Sequence, residues 1–290
     1  MRDQQTLSLM FESGDIDIAD FISGGPAVQL RKKMPDAFME TKNTGVWICD
    51  LDVTQQPTDD KNLRLALFSC IDWEKMANTA WEGEQPPALG GGLIPSGYKC
   101  YDPNWKPYPM EVAKAKEYIS KSKYAGKVPK IRISTAGSDP NRIRAAQILQ
   151  EYWRVNLGLE DVEIKNAESE FGDTGKTMIN IRVLSAGGAL PHQYAVSLTS
   201  PTGVHVTRFT KWEAPEIAAQ AAAIAALDPS GAEYCAAVQK VMKAISGEAV
   251  YLPLGWIKNY IQRQKWVKNF DLNWGRAWVS FMDGYVAKKS

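Results

Sequence analysis

Histidine is scarce in this 290-residue sequence, cysteine is scattered, and charge of one sign is nowhere concentrated. The two histidines, His192 and His205, stand thirteen positions apart without clustered cysteines or carboxylates, a poor donor set for a transition metal. No cofactor is implied. G-x-S-x-G, H-E-x-x-H, G-x-G-x-x-G and phosphate-loop patterns are all missing, which removes the usual sequence marks of hydrolases, zinc proteases and nucleotide-binding enzymes. Gly90-Gly91-Gly92 runs into Leu93-Ile94-Pro95 with no lysine and no helix start, so it reads as a tight loop. With 34 basic and 33 acidic residues the net charge is +1, which argues against a nucleic-acid-binding face. The longest apolar run, Ile217 to Leu227, falls well short of the roughly 20 residues that cross a bilayer and reads as a buried helix.

What the chain does have is a globular composition. Hydrophobic residues make up 44%, ample for a packed core in one large or two ordinary domains. The four cysteines, Cys49, Cys70, Cys100 and Cys235, form no C-x-x-C pair. A Cys70 to Cys100 disulfide stays open beside a buried free thiol at Cys70, which falls on an apolar helix face. The ten tryptophans are mostly core, with some available to a ligand. The N-terminus places acids where a secretory segment is apolar, so it reads as a helix followed by an alternating strand at GDIDIAD, not as a signal peptide.

Periodicity and capping residues give the further elements. Asp59 and Asp60 N-cap a helix running to Met76, with Leu63, Leu67, Cys70 and Ile71 at helical spacing and Arg64 on its flank. Gly45 to Val53 alternates like a strand. Val128 to Thr135 reads as a strand, and Asp139-Pro140 opens a helix that stops at Gly158 and carries Ala145, Ile148, Leu149 and Tyr152 on one face. Strands follow at Asp161 to Lys165 and Met178 to Leu184. Helices are expected from Pro215 to Leu227 and from Pro229 to Ile245, the latter capped by Asp228, before a strand at Ala249 to Leu254 that Trp256 to Gln264 extends or bends. A β-α-β unit with so long a helix argues an α/β fold with a sheet covered on both faces.

Pro57, Asp60, Arg64, Ala66, Ile71 and Asp72 fit a P-x-x-D-x-x-x-R-x-A-x-x-x-x-I-D signature. Gly83 to Pro95, Tyr101-Asp102 with Lys106-Pro107-Tyr108, Ala113 to Lys116, Leu252-Pro253-Leu254 and Trp266-Val267 follow in a consistent order. Together these resemble extracellular solute-binding protein family 5, the peptide, nickel and oligopeptide receptors of ABC importers. The resemblance implies a class II periplasmic-binding-protein-like lobe, a mixed sheet covered by helices, and non-catalytic capture of a peptide-like or other small solute. It also implies a periplasmic or extracytoplasmic setting, permease subunits as partners, and a monomeric full-length form. The scarcity of metal donors disfavours nickel. Residues 45–264 would form the C-terminal substrate-binding lobe, residues 1–44 a first-lobe remnant and residues 265–290 a first-lobe return segment, the chain starting about halfway through a family member. An isolated lobe without solute binding of its own is the alternative.

By the same resemblance, the turn after a central strand falls on Leu184, Ser185, Ala186, Gly187 and Gly188. Leu184 stands where relatives carry an aromatic, and Gly187 where they carry an acid for a peptide's amino group. Without that carboxylate a charge-assisted hydrogen bond to an α-ammonium group is lost. His192 and Gln193 follow closely enough to reach the same cleft, although a solvated loop position is equally open for His192. Gly255 and Trp256 take the place of late aromatic cleft residues, and Asp52 that of a hinge asparagine, with Val53 beside it. Arg64 and Asp72, two turns apart on one helix, are expected to anchor that helix to neighbouring loops.

Overall fold

The computed structural model describes residues 3–20, 22, 24–40, 45–135, 139–167, 177–184, 190–258, 260–268 and 285–286. Near the N-terminus α1 (Gln4–Ser13), β1 (Ile18–Asp20), α2 (Gly24–Lys33) and β2 (Phe38–Glu40) precede the long strand β3 (Gly45–Leu51). The stretch after Pro57 then folds as two helices, α3 (Lys61–Ser69) and α4 (Trp73–Ala80), where the apolar spacing predicts one. Asp60 caps the first by accepting from Leu63 N. Asp72 is extended and accepts from Lys75 N, so its side chain starts a new helix instead of continuing the old one. Arg64 and Asp72 therefore lie on different helices. Arg64 does anchor α3: buried, it donates to the carbonyls of Thr58 at 2.8 Å, Glu248 at 2.9 Å and Ala249 at 3.1 Å.

Beyond α5 (Val112–Lys121) the expected β-α-β unit appears as β4 (Ile131–Thr135), α6 (Pro140–Leu157) and β5 (Val162–Lys165), followed by β6 (Ile179–Leu184). Asp139 N-caps α6, and left-handed Gly158 ends it, as the sequence predicts. Its inner face is Ala145, Ala146, Leu149 and Trp153; Ile148 and Tyr152 lie at the edge of the core. The remaining elements are α7 (His192–Thr199), a π-helical turn (His205–Thr210), α8 (Pro215–Ala223) with a short 3-10 extension, α9 (Ala232–Gly247), β7 (Tyr251–Ile257), β8 (Tyr260–Arg263) and the short pair β9 (Val267–Lys268) and β10 (Tyr285–Val286). Gly231, not Asp228, stands at the start of α9. The Asp228 carboxylate instead accepts from Ser230 N and Oγ in the preceding turn.

Five strands form the main sheet in the order β5-β4-β6-β3-β7. β4 is parallel to both β5 and β6, while β3 is antiparallel to β6 and to β7. Both faces are buried, which explains the run of buried residues along β3. One face packs Cys49, Leu51, Ile179 and Ile181 against α3, α4 and α6; the other packs Val46, Ile48 and Leu184 against α7, α8 and α9. A second, three-stranded sheet, β1-β8-β2, has α1 and α2 on one side. The chain crosses between the two sheets twice, between β2 and β3 and between β7 and β8, so residues 260–263 pair with the smaller sheet.

Cys100 is bonded to Cys235, a pair 135 residues apart, and ties the long Pro- and Gly-rich loop to α9. Cys70, like Cys49, is a buried free thiol, its pKa pushed up to about 12 by burial, and the Cys70 to Cys100 alternative falls. Within that loop Gly91 and Gly92 have positive φ, and a Cβ on either would collide with the rings of Tyr101 or Trp105. The triple glycine is a close-packed turn.

Candidate functional site at the carboxyl end of the sheet

In sheets with parallel strands, ligands gather beyond the strands' carboxyl ends. Here that edge is formed by the ends of β4 and β6 and by the start of β3, because Val46 faces Leu184 across the antiparallel pair. Both crossings to the smaller sheet leave from the same edge, since Gly45 is opposite Ile257. A groove between two bodies joined in this way is where a small molecule can be enclosed.

One residue in from the edge, Trp47 lies level with Val183 and Gly255. Its ring meets that of Trp81 at 5.7 Å, tilted by 35°, and the Arg142 guanidinium sits 5.3 Å from its centroid. Neither indole N–H, both buried, finds a hydrogen-bond acceptor among the described residues. Arg142 comes from the first turn of α6 and faces Asp139 at 3.5 Å. Trp81 is 2% exposed and packs behind Trp47, so the half-buried Trp47 ring and the Arg142 guanidinium are what this group offers a flat or acceptor-rich solute. Sequence reasoning did not single out these three residues, since nothing in their spacing links a strand, the end of α4 and the start of α6. Beside them Gln85 acts as a short strand mimic: its amide accepts from Lys258 N at 2.6 Å and donates to Lys258 O at 3.1 Å at the second crossing.

The residues expected at the site are dispersed. Ser185, Ala186, Gly187 and Gly188 lie outside the described residues. Leu184 is fully buried against the α7–α9 side. Gly255 is covered by Pro86 O and Trp81, and Trp256 is 2% exposed, donating its backbone N–H to Pro86 O and meeting Tyr101 edge-on at 6.1 Å. Both are packing positions. His192 is not a solvated loop residue: it opens α7, buried, with Nδ1 2.8 Å from the Tyr234 hydroxyl, and burial lowers its pKa. Gln193, half-buried beside it, caps Leu190 N through its amide oxygen at 3.4 Å. Asp52 and Val53 follow the other end of β3, a strand length away from Leu184 and Gly255. The Asp52 carboxylate is taken up by Thr54 N, Thr54 Oγ1 and Gln55 Nε2 at 2.7 to 2.9 Å, and Val53 N donates to Thr210 O.

A second polar group lies deeper, on the α7–α9 face. Asp50, fully buried, receives His205 Nδ1 at 3.0 Å and faces Arg182 at 3.8 Å. The Arg182 guanidinium also stacks 3.4 Å from the centroid of Phe209. His205 and Phe209 belong to the same π-helical turn, so the cluster pins that turn to the sheet. Among the described residues no serine or thiol is hydrogen-bonded to His205 or Asp50.

The family model described as bacterial extracellular solute-binding proteins, family 5 Middle, matches residues 1–205. The chain belongs to this family. Among family relatives, the oligopeptide-binding protein OppA of Bacillus subtilis is 30% identical over 168 residues, covering 54% of this chain and 30% of OppA. The glutathione-binding protein GsiB of Escherichia coli K12 is 27% identical over 148 residues, covering 51% of this chain and 28% of GsiB. The structure of the E. coli murein tripeptide binding protein MppA superposes with a TM-score of 0.81 at 21% identity, over 99% of this chain and 57% of MppA. The fold is thus that of periplasmic-binding-protein-like family 5 structures. The match spans less than a third of the length of these curated relatives and just over half of MppA. No helix among the described residues is long and apolar enough to cross a membrane.

Proposed function

We propose that this chain supplies one wall of the solute site in the substrate-binding component of an ABC importer, acting outside the cytoplasm and without catalysis. The observation that carries the reading is the family match, which runs from the smaller sheet through β3, α6 and β6, the elements that build the carboxyl-end edge. The Cys100 to Cys235 bond supports an oxidising compartment. In this reading residues 45–264 are the substrate-binding lobe, except that β8 is the central strand of the smaller sheet, and residues 1–44 and 265–290 belong to the first lobe. The two crossings serve as hinges, and solute favours closure by the contacts that only the closed form makes. Permease subunits receive the loaded, monomeric receptor.

The solute class follows from relatives named for oligopeptides and glutathione, combined with glycine at position 187. A peptide-like solute is held by its body and acceptor groups against Trp47 and Arg142, without a carboxylate at position 187 for its amino terminus. Isothermal titration of the purified chain with oligopeptides and glutathione, each free and N-acetylated, tests this. Binding of at least one pair with acetylation changing affinity less than about threefold is expected. A loss of more than about tenfold on acetylation would overturn the ligand assignment.

The second reading, a lobe without solute affinity of its own, is favoured by one observation: Leu184, Gly255, Trp256 and His192 are all buried. No heat from any solute, with a cooperative melt of the same sample, would select it.

A further inference from the structure

The outer side of α6 carries a groove that the sheet-edge site does not use. Because Ala145, Ala146, Leu149 and Trp153 take the inner face, Ile148, Tyr152 and Val155 form a second stripe at helical spacing on the outside. Met110, on the segment leading to α5, approaches the same stripe, and Lys75 and Thr79 of α4 close the opposite side around a volume of about 400 Å³. Val155 is 62% exposed and Met110 46% exposed. A single exposed apolar side chain needs no explanation, but two of the most exposed ones meeting in one concave feature of ligand size do.

The charges of the groove select the occupant. Arg144 is engaged by Glu82 at 2.9 Å and by Ala80 O, and Glu151 is held by both ends of Arg154, the shorter contact at 2.7 Å. The Asp72 carboxylate caps α4 through Lys75 N. The Lys75 ammonium, by contrast, has no ion-pair partner among the described residues. A molecule that buries an apolar chain along Ile148, Tyr152 and Val155 while presenting an acid to Lys75 satisfies both features at once.

We propose that this groove is a second binding site, for a small amphiphilic carboxylate. Its chain lies against Met110, Ile148, Tyr152 and Val155, and its acid pairs with Lys75. The site is separate from the sheet edge and stands whatever the solute there.

The test is a titration of the intact chain with decanoate, decanol and decyltrimethylammonium below their micelle concentrations, followed by 1H–15N correlation spectra. Decanoate is expected to give saturable shifts at Lys75, Ile148, Tyr152 and Val155, and to bind more tightly than either alternative. Lys75→Gln should weaken it about threefold to fivefold, as for one exposed charge pair, and Val155→Glu should abolish it. Both positions are on the surface, so an unchanged melting temperature certifies the fold of each variant. Equal binding of decanol together with a neutral Lys75→Gln would overturn the acid head. Shifts elsewhere, a linear response without saturation, or shifts that track protein concentration and so report a second copy in the groove, would overturn the site.

Discussion

On one face of the five-stranded sheet, Cys49, Leu51, Ile179 and Ile181 meet Leu67, Leu149 and Trp153, and buried polar atoms such as Trp153 Nε1 and the Tyr108 hydroxyl donate to backbone carbonyls. On the other, Val46, Ile48 and Leu184 share their surface with Asp50, Arg182 and His205, and the covering segment includes a π-helical turn and a disulfide-tied loop. The first face is held by contact area, which tolerates small losses. The second is held by groups whose desolvation is costly, so its parts depend on one another. A large apolar face makes a rigid back; a polar, stapled face specifies where α7 and the turn after it must sit.

The largest expected effect strikes the polar face. Asp50→Ala leaves Arg182 and His205 buried without their carboxylate and should cost about 3–5 kcal/mol in urea unfolding. Replacing all three together, Asp50→Leu with Arg182→Met and His205→Leu, should cost less than the single change; if it costs more, the cluster contributes net stability and the comparison is wrong. Reduction of the Cys100 to Cys235 bond should lower stability by about 2–4 kcal/mol, read as a lower midpoint in reductant. On the dry face Ile181→Val should cost about 1 kcal/mol, with cooperativity intact.

The smallest effect is a pH slope. Burial lowers the His192 pKa from its ordinary 6.5, so the unfolded chain binds the proton more readily. Stability is full above pH 6.5 and falls as pH drops below it, toward the lowered folded value. His192→Asn should flatten that part of the melting profile between pH 7.5 and 5 relative to the wild type. His205, in contact with Asp50 and Tyr251, is common to both proteins, so the difference between the two profiles isolates His192.

The same contrast explains what the sequence could and could not disclose. The dry face was legible because its helix α6 is punctuated by Asp139, Pro140 and Gly158, and because β4, β5 and β6 alternate apolar and polar residues at the period of a strand. The break between α3 and α4 was not, since Leu63, Leu67, Cys70 and Ile71 keep helical spacing straight through it while the decisive event is Asp72 capping Lys75 N. Asp50 was invisible because a strand buried on both faces has no polar side for an acid to violate. Trp256 was expected on a wall and is core, because Pro86 and Tyr101 cover it from a loop whose path no local rule dictates. Cys100 and Cys235 could be paired only once the loop had been laid on α9.

The position of the two crossings has a practical consequence. Gly45 and Ile257 are cross-strand partners, so the stretch from β3 to β7 enters and leaves at one point on the sheet, with its ends a strand spacing apart. A piece of chain with adjoining ends behaves as a cartridge: it can be lifted out, closed with a short linker, or set into a surface loop of another protein without stretching its host.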